Sequence, residues 1–348
     1  MGNWNDYMHP RVGEIMSWNL KEGHYTKENI SEDEIWGIFN SIFSSKTHNT
    51  TTYKYCFLKC LVDNIFNVDE KLSLEFDVVF TRFTEVYWNL VVRHKLRQIQ
   101  ENSQWQRSAV EEIIENFLNK YDFSREFAFE GLKNNYQLEL ISQIRQVGSK
   151  YVIGAFYSDS KGTFYSFSKA EKRIIFNPKV YAMIVKYKSI IEKINYYEWI
   201  KFLEKVNIKE SSYSIAEKLD YSTKRNNLIN YKETLFGKSE HSNCFYCGKG
   251  ICKNSIEVDH FIPWSFVKDD KLWNFVLSCP RCNNSKRDRL AIDKYKYIII
   301  ERNKLIINNV QGLGVNLDFK GYTEVKILSM YKSAIFNGFT PDWQPKIV

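Results

Sequence analysis

Two Cys-x-x-Cys pairs, Cys244/Cys247 and Cys279/Cys282, constrain the fold of this 348-residue chain more than any other feature. Four thiols in two such pairs suit one tetrahedral zinc ion. Between the pairs runs Glu257-Val258-Asp259-His260-Phe261-Ile262-Pro263-Trp264-Ser265, followed by Asn274. Asn283 comes directly after the last cysteine, and Lys286 soon after it. An acid, an imidazole and amides enclosed by a zinc knot suit a hydrolytic metal site. With four thiolate ligands the zinc keeps no position open for water, so its role is structural. It holds together a module too small to do so by core packing alone.

In order and near-spacing, Asp259-His260, Asn274, Asn283 and Lys286 within the cysteine frame resemble the HNH endonucleases. The resemblance is to the version whose ββα-metal core is braced by a four-cysteine zinc, and it covers about a fifth of the chain. The final histidine of the family's pattern is Asn283 here, a variant also found within the family. The resemblance implies that His260 is the general base and that Asn274 holds the loop and orients that base. It also implies a catalytic Mg2+ or Mn2+ at the junction of hairpin and helix. Asp259 is the first candidate ligand, because an anionic oxygen suits a hard cation. Asn283 is the second, through its amide oxygen; Asn284 is a rival, disfavoured because the family's ligand directly follows the cysteine pair. Neighbouring strand residues point to opposite faces, so Asp259 and His260 need a bend to converge. Lys286, Arg287, Arg281 and Arg289 are candidates for holding phosphate, with Lys286 matching the family best.

An imidazole can take a proton from water at neutral pH because its ordinary pKa is about 6.5. The substrate expected from this chemistry is double-stranded DNA, and composition agrees: the net charge is +8 and favours a polyanionic partner. Seven cysteines without a signal peptide or a long apolar run point to a reducing cytoplasm and no membrane span. Cys56 and Cys60 read as buried small side chains, and Cys252 as a packing residue outside both pairs.

The expected fold class is mainly α (α+β). Residues 1–206 form a helical domain with a small β-ribbon, and 207–348 form the HNH nuclease domain, whose zinc and catalytic core spans 241–302. Ser31-x-x-Glu34 and Ser108-x-x-Glu111 read as capping boxes that open helices. Leu72, Phe76, Val79, Phe80, Phe83, Val86, Tyr87 and Leu90 make the clearest apolar stripe. Residues 126–146 suggest another helix. Segments 152–157, 163–167 and 173–176 read as strands, with 158–162 as a hairpin turn. Asn177-Pro178 then marks a helix start, with helices near 178–193 and 196–205. A basic helix with Lys224 and Arg225 is expected around 214–236, one near 289–302 to complete the ββα unit, and one from 321 to 336. Arg93, His94, Lys95 and Arg97 end the third helix, where cations complement its dipole.

A restriction or antiphage effector, acting as a homodimer or with a regulatory partner, fits this plan. A homing or mobile-element nuclease, an RNA-cleaving enzyme and a noncatalytic zinc module that binds nucleic acid are the alternatives. No nucleotide-binding loop is evident, so an ATP-driven role would need a partner chain.

Overall fold

A computed structural model describes residues 20–44, 50–100, 106–124, 127–222, 228, 231–232, 235, 241–309, 319 and 321–346. The expected irregular start before residue 20, the pair Lys224 and Arg225, and Gly312 and Gly314 lie outside the described residues. The chain divides into two compact units. One comprises 1–62, 69–183 and 192–223; the other comprises 63–68, 184–191 and 224–348. The first unit thus runs past the expected boundary at 206. The reason is local: the Arg93 guanidinium stacks on the Tyr221 ring at 4.0 Å, and His94 meets the same ring edge-on.

Capping and burial explain the helices of the first unit. Helix α1 (Glu32–Phe43) starts at Ser31, whose hydroxyl accepts the Glu34 N–H while the Glu34 carboxylate accepts the Ser31 N–H. Its buried face is Ile35, Ile38, Phe39 and Ile42. Helix α2 (Tyr53–Asp63) buries Cys56 and Cys60 completely. Helix α3 (Phe76–Trp88) carries the apolar stripe, with Phe80, Phe83, Val86 and Tyr87 all inaccessible to solvent. Helix α4 (Ala109–Tyr121) repeats the capping box with Ser108 and Glu111. Helix α5 (Asn134–Tyr151) packs against α3 where Gly148 meets the Phe80 ring; a Cβ at 148 would run into that ring. Helix α6 (Ile153–Asp159) follows at once.

Helix α6 corrects the expectation of a strand at 152–157. Val152 keeps a right-handed helical backbone, and Ile153 and Phe156 drop onto the core three residues apart. Tertiary packing here outweighs the β-branched composition. The sheet itself has the order β1-β3-β4-β2 and is antiparallel throughout. Its strands are β1 (Glu22–Gly23), β2 (Ser73–Glu75), β3 (Tyr165–Ser168) and β4 (Arg173–Phe176). The hairpin turn therefore falls between Ser168 and Arg173, not at 158–162. Tyr165 and Phe167 alternate inward, so the aromatic ribbon is packed rather than displayed. Helix α7 (Pro178–Lys186) begins as expected, with the Asn177 carboxamide oxygen accepting the Lys179 N–H. Helix α8 (Lys188–Val206) and α9 (Ser212–Tyr221) follow.

The second unit is built on two short hairpins. Strands β5 (His241–Asn243) and β6 (Gly250–Cys252) pair antiparallel, as do β7 (Glu257–His260) and β8 (Phe275–Ser278). Helix α10 (Trp264–Val267) lies in the loop between β7 and β8, and α11 (Pro280–Lys286) follows β8 and packs against β7. Helix α12 (Lys294–Asn309) and α13 (Glu324–Phe336) complete the unit. The helix of the ββα unit is thus α11, not one near 289–302. At seven residues it is too short to show a helical apolar period, and Pro280 at its first turn is its main sequence mark. Phe261, Ile262, Leu290, Ala291 and Ile299 are fully buried, and Phe275 packs with Leu228 and Val258. Trp343 packs on Tyr246 with ring centroids 4.9 Å apart, which seats the carboxy-terminal segment. Among the described residues no helix is long and apolar enough to cross a membrane.

Candidate metal centre and hydrolytic cleft

Cys244 and Cys247 sit on the tight turn between β5 and β6, and Cys279 and Cys282 at the start of α11. Gly248 closes the first turn at φ +72°, a left-handed backbone that glycine adopts without strain, and its N–H donates to the Cys244 carbonyl at 2.9 Å. The Phe245 N–H donates to the Leu277 carbonyl at 2.9 Å, tying this turn to β8. The ligand atoms of the four cysteines all lie within 4.8 Å of one another. A tetrahedral site with Zn–S bonds near 2.3 Å needs sulfurs about 3.8 Å apart, and the Cys247 and Cys279 sulfurs are 3.9 Å apart. Burial and the other three cysteines push the Cys282 thiol well above its usual range. A nearby cation would offset that effect at Cys282, and four sulfurs drawn to one point form a donor set that fits zinc. Cys252 is exposed beside Ser255 and stands outside this cluster, which corrects its reading as a packing residue.

Asp259 and His260 occupy the end of β7, opposite Val276 and Phe275. The chain leaves the strand at Phe261, whose N–H donates to the Asn274 carbonyl at 2.8 Å. Asn274 itself is 1% exposed. Its side-chain oxygen accepts the Ile262 N–H at 2.9 Å, and its amide donates to the Ile262 carbonyl at 2.9 Å. This reciprocal pair clamps the loop from both ends of the hairpin. At this bend Asp259 and His260 come to line one cleft of about 350 Å³ with Asn283, Asn284, Arg287, Asp288, Pro263 and Trp264.

Asp259, His260 and Asn283 each have a partner that fixes them. The Asp259 Oδ2 accepts the Tyr246 hydroxyl at 2.5 Å and lies 3.0 Å from the Lys286 ammonium. Burial, then the Asp259 charge, pushes the Tyr246 phenol well above its usual range, so it stays a donor. Tyr246 lies between Cys244 and Cys247, so the zinc turn itself carries the hydroxyl that orients Asp259. The His260 Nε2 is 2.8 Å from the Asp270 Oδ1, and its ring stands edge-on to Phe275 at 4.6 Å. The Asn283 amide donates to the Glu257 carboxylate. An amide that donates through nitrogen keeps its oxygen for a cation. Sequence reasoning missed Tyr246, Asp270 and Glu257. Glu257 carries one faint signal: two residues from Asp259 on a strand, it shares its face.

The basic candidates separate. Arg287 lines the cleft, with its Nε donating to the Asn284 carbonyl at 3.3 Å. Its backbone sits at φ +50°, a left-handed value rare for a residue with a Cβ. Arg281 and Arg289 are exposed and do not line the cleft; Arg289 donates to the Ser285 carbonyl. Lys286 is fully buried, donating to the His260 carbonyl at 2.7 Å beside Asp259. That placement aims the ammonium at the Asp259 carboxylate and the His260 carbonyl, and Lys286 is not among the residues that line the cleft.

The residue types fit a hard divalent cation: a carboxylate, Asp259, and a carboxamide, Asn283, line one open, polar cleft. Comparison with curated proteins and with solved structures found no match. Residues 244–292, which hold both cysteine pairs, the clamp and the cleft, match the family model of the HNH endonucleases.

Proposed function

We propose that this chain is a metal-dependent endonuclease that hydrolyses DNA phosphodiester bonds. The observation that carries the reading is the convergence of Asp259, His260 and Asn283 on one cleft inside the matched module. Asp259 and Asn283 would hold Mg2+ or Mn2+, and the four cysteines zinc. The divalent cation, when bound, neutralises charge at phosphorus and on the departing oxygen. His260 takes the proton from the attacking water. Lys286 and Tyr246 fix the Asp259 carboxylate, and the Asn274 clamp fixes the loop that carries His260. Arg287 holds a phosphate oxygen at the cleft edge and positions the strand without reading its sequence.

A single cleft addresses one strand at a time, so double-strand breaks call for a homodimer or successive nicks. A hydrolytic module joined to a separate helical unit, the domain expected over 1–206, suits a cytoplasmic restriction or antiphage effector. The helical unit would then recognise DNA or a regulatory partner. The test is nicking of supercoiled plasmid with added Mg2+ or Mn2+, run beside single-stranded DNA and RNA. The zinc-loaded wild-type chain is expected to nick the plasmid, and the His260→Ala chain to leave it intact while keeping its zinc. Undiminished cutting by a folded His260→Ala chain would refute the assigned base. Cutting of RNA alone would move the substrate class, and no cutting of any substrate would favour a binding module.

A further inference from the structure

We propose that Asp270 is the positioning residue of the hydrolytic base, holding the His260 imidazole in the tautomer that carries its lone pair on Nδ1. The inference rests on His260 acting as the base. An ionised carboxylate only accepts hydrogen bonds. The contact of 2.8 Å between His260 Nε2 and Asp270 Oδ1 therefore assigns the ring proton to Nε2. The neutral ring is left with Nδ1 as its basic nitrogen, and the second ring nitrogen is set by the partner of the first.

The surroundings show that Asp270 is built into this position. Lys268 adopts φ +56° and its N–H donates to the Trp264 carbonyl at 2.8 Å, ending α10 and turning the chain back toward β7. The Asp269 carboxylate accepts the Asp270 N–H at 2.8 Å, and the Asp270 carbonyl accepts the Tyr231 hydroxyl at 3.3 Å. The Tyr231 ring packs on Phe275 at 4.7 Å, and Phe275 in turn supports the His260 ring. Lys286 holds the His260 carbonyl, while Phe275 and Asp270 hold its ring. His260 is only 2% exposed, so water is a poor substitute for the carboxylate.

The experiment uses the full, zinc-loaded chain and compares wild type, Asp270→Ala, His260→Ala and the double variant in plasmid nicking. Asp270→Ala is expected to lower kcat by on the order of 10²- to 10⁴-fold with KM for DNA unchanged. The double variant is expected to be no slower than His260→Ala alone, because Asp270 acts only through His260. Nitrogen-15 NMR without added divalent cation, near pH 8.5, reads the tautomer directly. The wild-type His260 signal should show a protonated Nε2, and Asp270→Ala should lose that preference. If Asp270→Ala loses zinc or helical signal, Asp270→Ser takes its place in both arms. An Asp270 variant with unchanged kcat, losses that add in the double variant, or an unchanged tautomer would overturn the inference. With wild type active and His260→Ala inactive, such a result leaves the nuclease reading standing. If wild type cuts nothing, that reading fails, and the tautomer measurement still decides what Asp270 does.

Discussion

Replacing Lys286 with Met separates the structural role of this lysine from the phosphate contact that its sequence position suggests. The ammonium is fully buried, 3.0 Å from the Asp259 carboxylate and 2.7 Å from the His260 carbonyl. At an effective dielectric near 20, charges 3.0 Å apart attract by about 5 kcal/mol. Methionine matches the length of the aliphatic stem, so the change mainly strands a buried anion and an unpaired carbonyl. Breaking one side of such a pair costs about 3–5 kcal/mol. Thermal and urea unfolding of the full chain should show that loss in the transition that reports the second unit. Adding Asp259→Asn should recover part of it, because the stranded charge is then gone. Millimolar Mg2+ should also restore stability to the single variant, through compensation at the same carboxylate. A phosphate-holding lysine predicts something different: normal stability, a higher KM for DNA and a shallower salt dependence. Wild-type unfolding in Lys286→Met, or an equal loss with and without Asp259→Asn, would refute the structural argument.

Three further outcomes follow from the geometry. Cys279→Ser removes one of four thiolates, so zinc content measured by elemental analysis should fall, the second unit should lose its cooperative unfolding, and nicking should stop. Arg287→Gly should stabilise the chain by about 1 kcal/mol, because glycine adopts φ +50° without strain, while DNA binding weakens; equal or lower stability would show that the backbone there is unstrained. The third outcome concerns His94, which burial, then the charges of Arg93 and Lys218, holds down at about 4. Its ordinary value near 6.5 applies in the unfolded chain, which therefore binds the proton first as pH falls. The stabilisation is complete above about pH 6.5 and is lost progressively down to about pH 4. After discounting for the partial exposure of the ring it amounts to roughly 1–2 kcal/mol. His94→Gln should flatten that part of the stability profile.

What was legible in the sequence had local causes. Ser31 with Glu34, Ser108 with Glu111 and Asn177 before Pro178 announce helix starts because the cap is made within a few residues of chain. The two cysteine pairs announce a metal cluster because their spacing is that of the four soft ligands of a tetrahedral zinc ion. The Asn274 clamp was anticipated only through the family pattern; nothing in its neighbours distinguishes it from a turn residue. The missed features depend on approach through space. Asp270 lies in the run Lys268-Asp269-Asp270-Lys271, which reads as a solvated charge cluster until the turn at Lys268 brings it to His260. Tyr246 reads as a spacer between cysteines, and its hydroxyl matters only because β7 passes beneath it. Lys286 looked like a surface cation for the same reason: one helical residue's burial depends on which strand its helix packs against. The stretch that forms α6 reads as a strand because its β-branched residues face a core that the local sequence does not contain.

The central claim is that a sulfur-held frame keeps Asp259 and Asn283 around one divalent cation beside His260. Crystals of the zinc-loaded chain soaked in Mn2+, with anomalous differences collected for both metals, test it directly. Two peaks are predicted: zinc among the sulfurs of Cys244, Cys247, Cys279 and Cys282, and manganese about 2.1–2.2 Å from the oxygens of Asp259 and Asn283. Manganese bound elsewhere with this cleft empty, or no zinc among the four sulfurs, would contradict the account.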